Sequence, residues 1–159
     1  MSDSWDLFMD ALVQESGALS AMNAAALELT GALVARDPEA IAQAERALDA
    51  SRQLYSKAAG VRRSMQVRGF GAATLRQVCA HAPRHLAATF NARLSELVTL
   101  SISLGITIAN NKSLILAGME RLLQVTTALQ RASNEEPGTY RRRGFVPPPS
   151  NSVLVSSRA

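Results

Sequence analysis

Aromatic side chains are scarce in this sequence, and their scarcity argues against a β-rich fold. Only 4% of the 159 residues are aromatic, although 47% are hydrophobic. The apolar residues are mostly alanine and leucine, which are strong helix formers, whereas strands favour aromatic and β-branched residues. The composition therefore predicts an all-α protein, and the chain is long enough for one domain with a real core.

Cysteine is nearly absent, and the sequence also has no long uncharged apolar run. Cys79 is the single cysteine and cannot form an internal disulfide, which fits a reducing compartment. No stretch of about eighteen apolar residues, the length that suggests a membrane span, is free of charged residues. The first residues, Met1–Asp6, lack the basic start and apolar block of a signal peptide. We therefore expect a cytoplasmic protein without membrane insertion.

Recognisable catalytic and metal-binding patterns are lacking as well. Cys79, His81 and His85 are close in sequence, but a structural zinc site usually takes four ligands and no other cysteine or histidine occurs. Pro83 separates the two histidines, so we do not expect them on one helical face. Gly69–Gly71 lacks the lysine and hydroxyl residue of a phosphate-binding loop and predicts a turn. We expect no enzyme activity, no metal and no cofactor, with Cys79 packed in the core.

One long segment lacks basic residues, and another lacks acidic residues. Residues 1–35 contain no lysine or arginine, and residues 50–95 contain no aspartate or glutamate. If the first two helices form an antiparallel hairpin, acidic and basic residues come level, Glu15 with Lys57 among them, and most of this polarity cancels. The net charge of +4 then gives a weak case for nucleic acid, since no basic stripe is interleaved with stacking aromatic residues.

A long apolar repeat dominates the second half of the sequence. Its residues recur in steps that alternate four and three, which keeps one stripe of a helix facing a partner helix. A helix over 84–131 would be about 70 Å long at 1.5 Å per residue. We expect residues 90–108 to be buried as core and residues 114–129 to stay exposed, because the preceding helices are shorter. The repeat comprises Phe90, Leu94, Leu97, Ser101, Leu104, Ile108, Asn111, Ile115, Gly118, Leu122, Val125 and Leu129.

Three further helices are predicted ahead of this one. The first, over 3–34, carries its own stripe with the same alternation of steps. Asp37 then provides a helix cap, and Pro38 suits the first position of a new helix. That second helix extends over 38–68, and a short helix over 73–80 bridges to the long one. The predicted fold is an elongated antiparallel helical hairpin plus one long C-terminal helix, packed as a coiled-coil-like bundle.

Two polar residues interrupt the apolar stripes. Glu15 lies on the stripe of the first helix and Asn111 on that of the long helix. A polar group at such a position fixes the register or the oligomer state of packed helices at some cost in stability. We interpret both residues in this way.

The composition changes after Ala132. Residues 133–159 contain few bulky side chains, and Pro147–Pro149 remove three successive backbone donors. We predict a disordered tail, which divides the chain into a helical domain over 1–132 and a flexible tail over 133–159.

Three segments in a characteristic order carry a resemblance to a known family. They are the helix break Ala35–Ile41, the asparagine-containing stretch Ile108–Ile115, and the Gly138–Gly144 segment ahead of a serine-rich end. In this order they resemble the FlgN family of flagellar type III export chaperones, in which a Thr-Tyr-x-x-x-Gly element often precedes a polar end. The chain departs from the family in being basic and rich in alanine and arginine, whereas family members are often acidic and richer in glutamate and leucine.

The resemblance implies a cytoplasmic chaperone that binds hook–filament junction proteins through their amphipathic terminal helices. Binding would prevent premature assembly and aid delivery of these clients to the type III export apparatus. We place client binding on the exposed part of the long helix, assisted by the tail, and expect a monomer or weak homodimer. The expected client-binding residues are Leu114, Leu122, Val125, Leu129, Tyr140, Arg141, Arg142 and Arg143.

Two other classes of protein stay open. One is a structural coiled-coil protein that self-associates through the same stripe, which sedimentation would distinguish from a monomeric chaperone. The other is a basic helical nucleic-acid-binding protein that uses residues 52–93, which steeply salt-dependent binding would reveal.

Overall fold

The computed structural model describes residues Ser2–Asn134, which form four α-helices. In chain order, α1 comprises Ser2–Ala35, α2 Pro38–Phe70, α3 Leu75–Ala80 and α4 Arg84–Asn134. No strand occurs among these described residues, and the all-α fold class predicted from composition is confirmed. The predicted helix ends agree with the observed ones to within three residues. Nearly all of the predicted tail over 133–159 lies outside the described residues.

The chain divides into two compact units, Met1–Glu120 and Arg121–Ala159. The first contains α1, α2, α3 and most of α4. The described part of the second is the last portion of α4.

The end of α1 is a hydrogen-bonded helix stop. The backbone N–H of Arg36 donates to the carbonyl of Leu33, and that of Asp37 to the carbonyl of Ala32, each at 3.3 Å. These two bonds form a Schellman motif, which requires a left-handed residue after the helix. Arg36 occupies that position with a φ of 55°.

The start of α2 is capped as predicted. The Asp37 carboxylate accepts hydrogen bonds from the backbone N–H groups of Glu39, at 3.0 Å, and Ala40, at 3.2 Å. Pro38 takes the first helical position, where a missing N–H costs nothing. The stop and restart predicted at this point are confirmed.

Helix α1 is antiparallel to α2 and parallel to α4. Trp5, near the start of α1, contacts Phe70 at the end of α2, with ring centroids 4.7 Å apart. Trp5 also contacts Phe90 early in α4, at 5.4 Å. Further along both helices, the Asn23 side-chain amide donates to the Ser103 hydroxyl oxygen at 3.1 Å. Helix α1 thus contacts both of the other long helices.

One apolar cluster forms the core of the part of the chain that the structure describes. It takes its residues from α1, α3 and α4, and half-buried side chains of α2 pack against it. The stripe predicted for α1 is its main contributor, because one face of this helix is covered along its length. The buried members are Phe8, Leu12, Leu19, Met22, Ala26, Val78, Cys79, Phe90, Leu97 and Leu104.

The stripe predicted along α4 is only partly buried. Every seventh residue is buried, namely Phe90, Leu97, Leu104 and Asn111. The prediction that Ile108 belongs to the core is wrong, since its side chain is 46% exposed, and Ser101 is exposed too. The covered face is instead displaced toward Thr107, which is buried. The reason is that α4 packs on α1, and one neighbouring helix covers a narrower arc than the full stripe.

Candidate binding surface

The part of α4 that follows Asn111 contains no buried residue within the described range. Every residue from Lys112 to Ser133 is exposed. Soluble proteins seldom leave many large apolar side chains uncovered, and contiguous groups of them mark interaction sites. In the first unit, the exposed large apolar residues of this part of α4 are Leu114, Ile115, Leu116 and Met119. In the second unit they are Leu122, Leu123, Val125 and Leu129.

Four of the predicted client-binding residues lie on this part of α4. Leu122, Val125 and Leu129 follow one another at steps of three and four residues, so they share one face of the helix. Each of these three side chains is more than half exposed. Leu114, in the first unit, is exposed to a lesser extent. The remaining predicted residues, Tyr140 and Arg141–Arg143, lie outside the described residues.

Asn111 is the last buried residue of α4 in the described range. Its side-chain N–H donates to the carbonyl of Ala26 at 2.9 Å, and its Oδ1 accepts from the Thr30 hydroxyl at 2.7 Å. A buried amide with both ends satisfied stabilises only the arrangement that supplies those partners. Asn111 therefore ties α4 to α1 at one register.

A second line of exposed residues along α4 is absent from the predicted sites. It lies in the first unit, and its steps also alternate four and three residues, so it could have been found from sequence. Two small residues and one lysine make this line less apolar than the neighbouring repeat from Phe90 to Leu129. The periodicity of that repeat is therefore the one recognised in the sequence. We call it the outer row, and it comprises Val98, Ile102, Gly105, Ala109, Lys112, Leu116 and Met119.

A buried ion pair joins α1 to α2 within the first unit. The carboxylate of Glu15, which is 3% exposed, accepts from Nε and Nη2 of Arg62 at 2.6 and 3.0 Å. Arg62 also donates to Gln66, whose amide donates to the carbonyl of Ala73. The hydrogen bonds to the Glu15 carboxylate raise the pKa of Arg62.

The partner predicted for Glu15 was Lys57, and this expectation is wrong. Lys57 is exposed, whereas Arg62 lies one helical turn before the buried Gln66 and therefore on the inner face of α2. Only a residue on that face can reach a carboxylate that is buried on α1.

Cys79 and the two histidines are not brought together as a metal site. Among the described residues, no group of three or more histidine, cysteine or acidic side chains is placed to hold a metal ion. The expectation that Cys79 packs in the core is confirmed, and burial raises the pKa of its thiol. A thiol that stays protonated is a poor nucleophile and a poor ligand. One ring nitrogen of His81 lies 2.7 Å from the carbonyl of Gln77, and His85 is exposed.

Among the described residues, two helices are long and apolar enough to cross a membrane. They are Ser4–Ala35 and Arg84–Ser133, and each contains an 18-residue window with a mean hydropathy of 1.4. Inside the protein, 33% of the first window and 17% of the second are buried. The core helix of a soluble protein has the same length and composition, so localisation stays a prediction.

Comparison of the chain with known protein families, with curated proteins and with solved structures finds no match.

Proposed function

We propose that this chain is a cytoplasmic export chaperone of the FlgN type. It binds the amphipathic terminal helices of flagellar hook–filament junction proteins, prevents their premature assembly and aids their delivery to the type III export apparatus. The observation that supports this proposal best is the exposure of Leu122, Val125 and Leu129 on one face of α4. The function is binding alone, without catalysis, a cofactor or a metal.

Client recognition would use the spacing of these side chains. An amphipathic helix presents apolar residues at positions i, i+3, i+4 and i+7, which match the steps of three and four between Leu122, Val125 and Leu129. Burial of one such side chain contributes about 1.5–3 kcal/mol, from which the cost of ordering the client helix is subtracted. Leu114, Tyr140 and Arg141–Arg143 would add further contacts to the same client.

The proposal is tested by placing two charges on this face. The variant Leu122→Asp with Val125→Asp should lose co-purification with the hook–filament junction proteins, because two carboxylates would have to be desolvated in the complex. Since both side chains are already exposed, helicity and melting temperature should stay close to those of the parent chain. Pull-down from cells, together with circular dichroism, measures both quantities.

A matched control adds the same two charges to the other side of the same helical turns. Leu123→Asp with Thr127→Asp changes two exposed residues that lie away from the face of Leu122, Val125 and Leu129. This control should still retain the junction proteins. Client binding that survives in the first variant would contradict the proposal, as would its equal loss in both variants. Unfolding of the first variant would show that Leu122 and Val125 are core residues instead.

A further inference from the structure

We propose that the outer row of α4, from Val98 to Met119, is a contact surface for a second copy of this chain. In this dimer the two α4 helices pack antiparallel about a two-fold axis. The inference is independent of the chaperone proposal, because the outer row lies on a different face of α4 and within the first unit. Val98, Ile102, Leu116 and Met119 of this row are all exposed.

The near absence of charged residues in this segment favours the same segment of a second copy as its partner. Between Leu97 and Met119 the sequence contains a single charged residue, Lys112. On a helix that packs along this face, a charged residue at the contact would find no partner of opposite charge. The contacting face of that helix therefore has to be nearly uncharged and apolar. The same segment of a second copy meets that condition, and a two-fold axis makes one surface serve both sides of the interface.

The sizes of the side chains match in an antiparallel pair. With Ile102 opposite Met119 of the partner subunit, Gly105 lies opposite Leu116 of the partner subunit. A Cβ atom added at Gly105 would meet nothing within 4 Å, so this position is open on the surface. Leu116 of each copy can therefore enter the gap above Gly105 of the other, as a knob enters a hole in a coiled coil.

Lys112 favours the antiparallel orientation of the two α4 helices. A parallel arrangement would place the two Lys112 ammonium groups opposite each other in an apolar seam. The antiparallel arrangement places each Lys112 opposite Ala109 of the partner subunit. There the aliphatic part of the lysine packs on the small residue while the ammonium group reaches water.

The small area of the surface indicates a weak dimer. A segment from Val98 to Met119 is about 33 Å long at 1.5 Å per residue, and only one face of it is used. Stable interfaces bury about 800 Å² on each partner, more than a single helix face of this length provides. We therefore expect a weak, reversible dimer.

Sedimentation velocity of the full chain over a concentration series tests the dimer. The parent chain should show a monomer–dimer equilibrium. Leu116→Glu should raise the dissociation constant by about tenfold or more, because it places a carboxylate opposite the gap at Gly105. Ala117→Glu is the matched control, since it adds the same charge one residue further on, at an exposed position away from the outer row. The control should dimerise like the parent chain.

Disulfide crosslinking tests the orientation. A chain carrying Gly105→Cys, mixed with a chain carrying Leu116→Cys, should give the mixed disulfide under mild oxidation, while the native Cys79 is buried and does not compete. Self-crosslinking of Gly105→Cys alone would show parallel pairing and overturn the proposed arrangement. A parent chain that stays monomeric at every concentration, or one whose dimer is equally weakened by Ala117→Glu, would overturn the proposed interface.

Discussion

At Arg36 the backbone adopts the left-handed conformation that the α1 stop requires. A residue with a side chain is less stable in this conformation by roughly 1–2 kcal/mol, and glycine is the usual occupant. The side chain of Arg36 is exposed. The hairpin therefore contains strain at its turn that comes from one residue and that a substitution can remove.

We expect Arg36→Gly to stabilise the protein by about 1 kcal/mol, because glycine adopts a positive φ without strain. Chemical denaturation measures the change in unfolding free energy. Arg36→Ala is the control, since it removes the same side chain but keeps the Cβ atom and hence the strain. Equal stability of the two variants would show that the backbone at position 36 stores no strain.

At the scale of the helices, buried polar residues decide how the apolar stripes align. Apolar stripes alone tolerate sliding of one helix along another, because one leucine can replace another in the same contact. Glu15 and Asn111 do not tolerate it, since each is buried and has specific partners on a neighbouring helix. Glu15 thus specifies the register of α1 with α2, and Asn111 that of α1 with α4.

Asn111→Ala should destabilise the protein by about 1–3 kcal/mol, because it leaves the carbonyl of Ala26 and the hydroxyl of Thr30 without this partner. The neighbouring Asn110 is exposed. Asn110→Ala therefore removes the same kind of side chain without breaking a buried hydrogen bond, and it should have little effect. Thermal unfolding of the two variants provides the comparison. If both melt alike, the Asn111 amide does not stabilise the packing of α4 on α1.

At the scale of the whole molecule, covered apolar faces distinguish a core helix from a membrane span. Helix α1 has the hydropathy of a span, yet Leu12 and Ala26 are fully covered by other parts of the protein. It also carries Glu15 in a buried ion pair with α2. Inserting α1 into a bilayer would break this pair and uncover the apolar cluster on the other helices.

We therefore expect the full chain to stay in the soluble fraction when cell membranes are sedimented. Antibody detection of the supernatant and the pellet measures the distribution, and a carbonate wash at high pH separates inserted from adsorbed protein. A chain that stays in the pellet after this wash would contradict both the predicted cytoplasmic localisation and the chaperone proposal.

Much of the fold could be predicted from sequence because its determinants are local. The Asp37 cap, Pro38 and Gly71 act within a few residues of their own position, so the helix ends agree closely. The turn predicted over Gly69–Gly71 begins only at Gly71, since Gly69 and Phe70 still belong to α2. The stripe of α1 is largely covered, since this helix is contacted on two sides, whereas Leu7, Leu27 and Val34 of the same helix are exposed. On α4, Leu122, Val125 and Leu129 are exposed, as expected from the sequence.

The remaining features depend on the position of neighbouring helices, which no local pattern contains. The sequence by itself determined that this protein is helical, where its helices begin and end, and which residues are apolar enough to form faces. Only the tertiary structure decided that Glu15 pairs with Arg62 instead of Lys57, that Ile108 is exposed, and that the residues of the outer row of α4 are exposed. The physical reason is that a periodic sequence specifies the faces of a helix, whereas burial of a face depends on the helix packed against it.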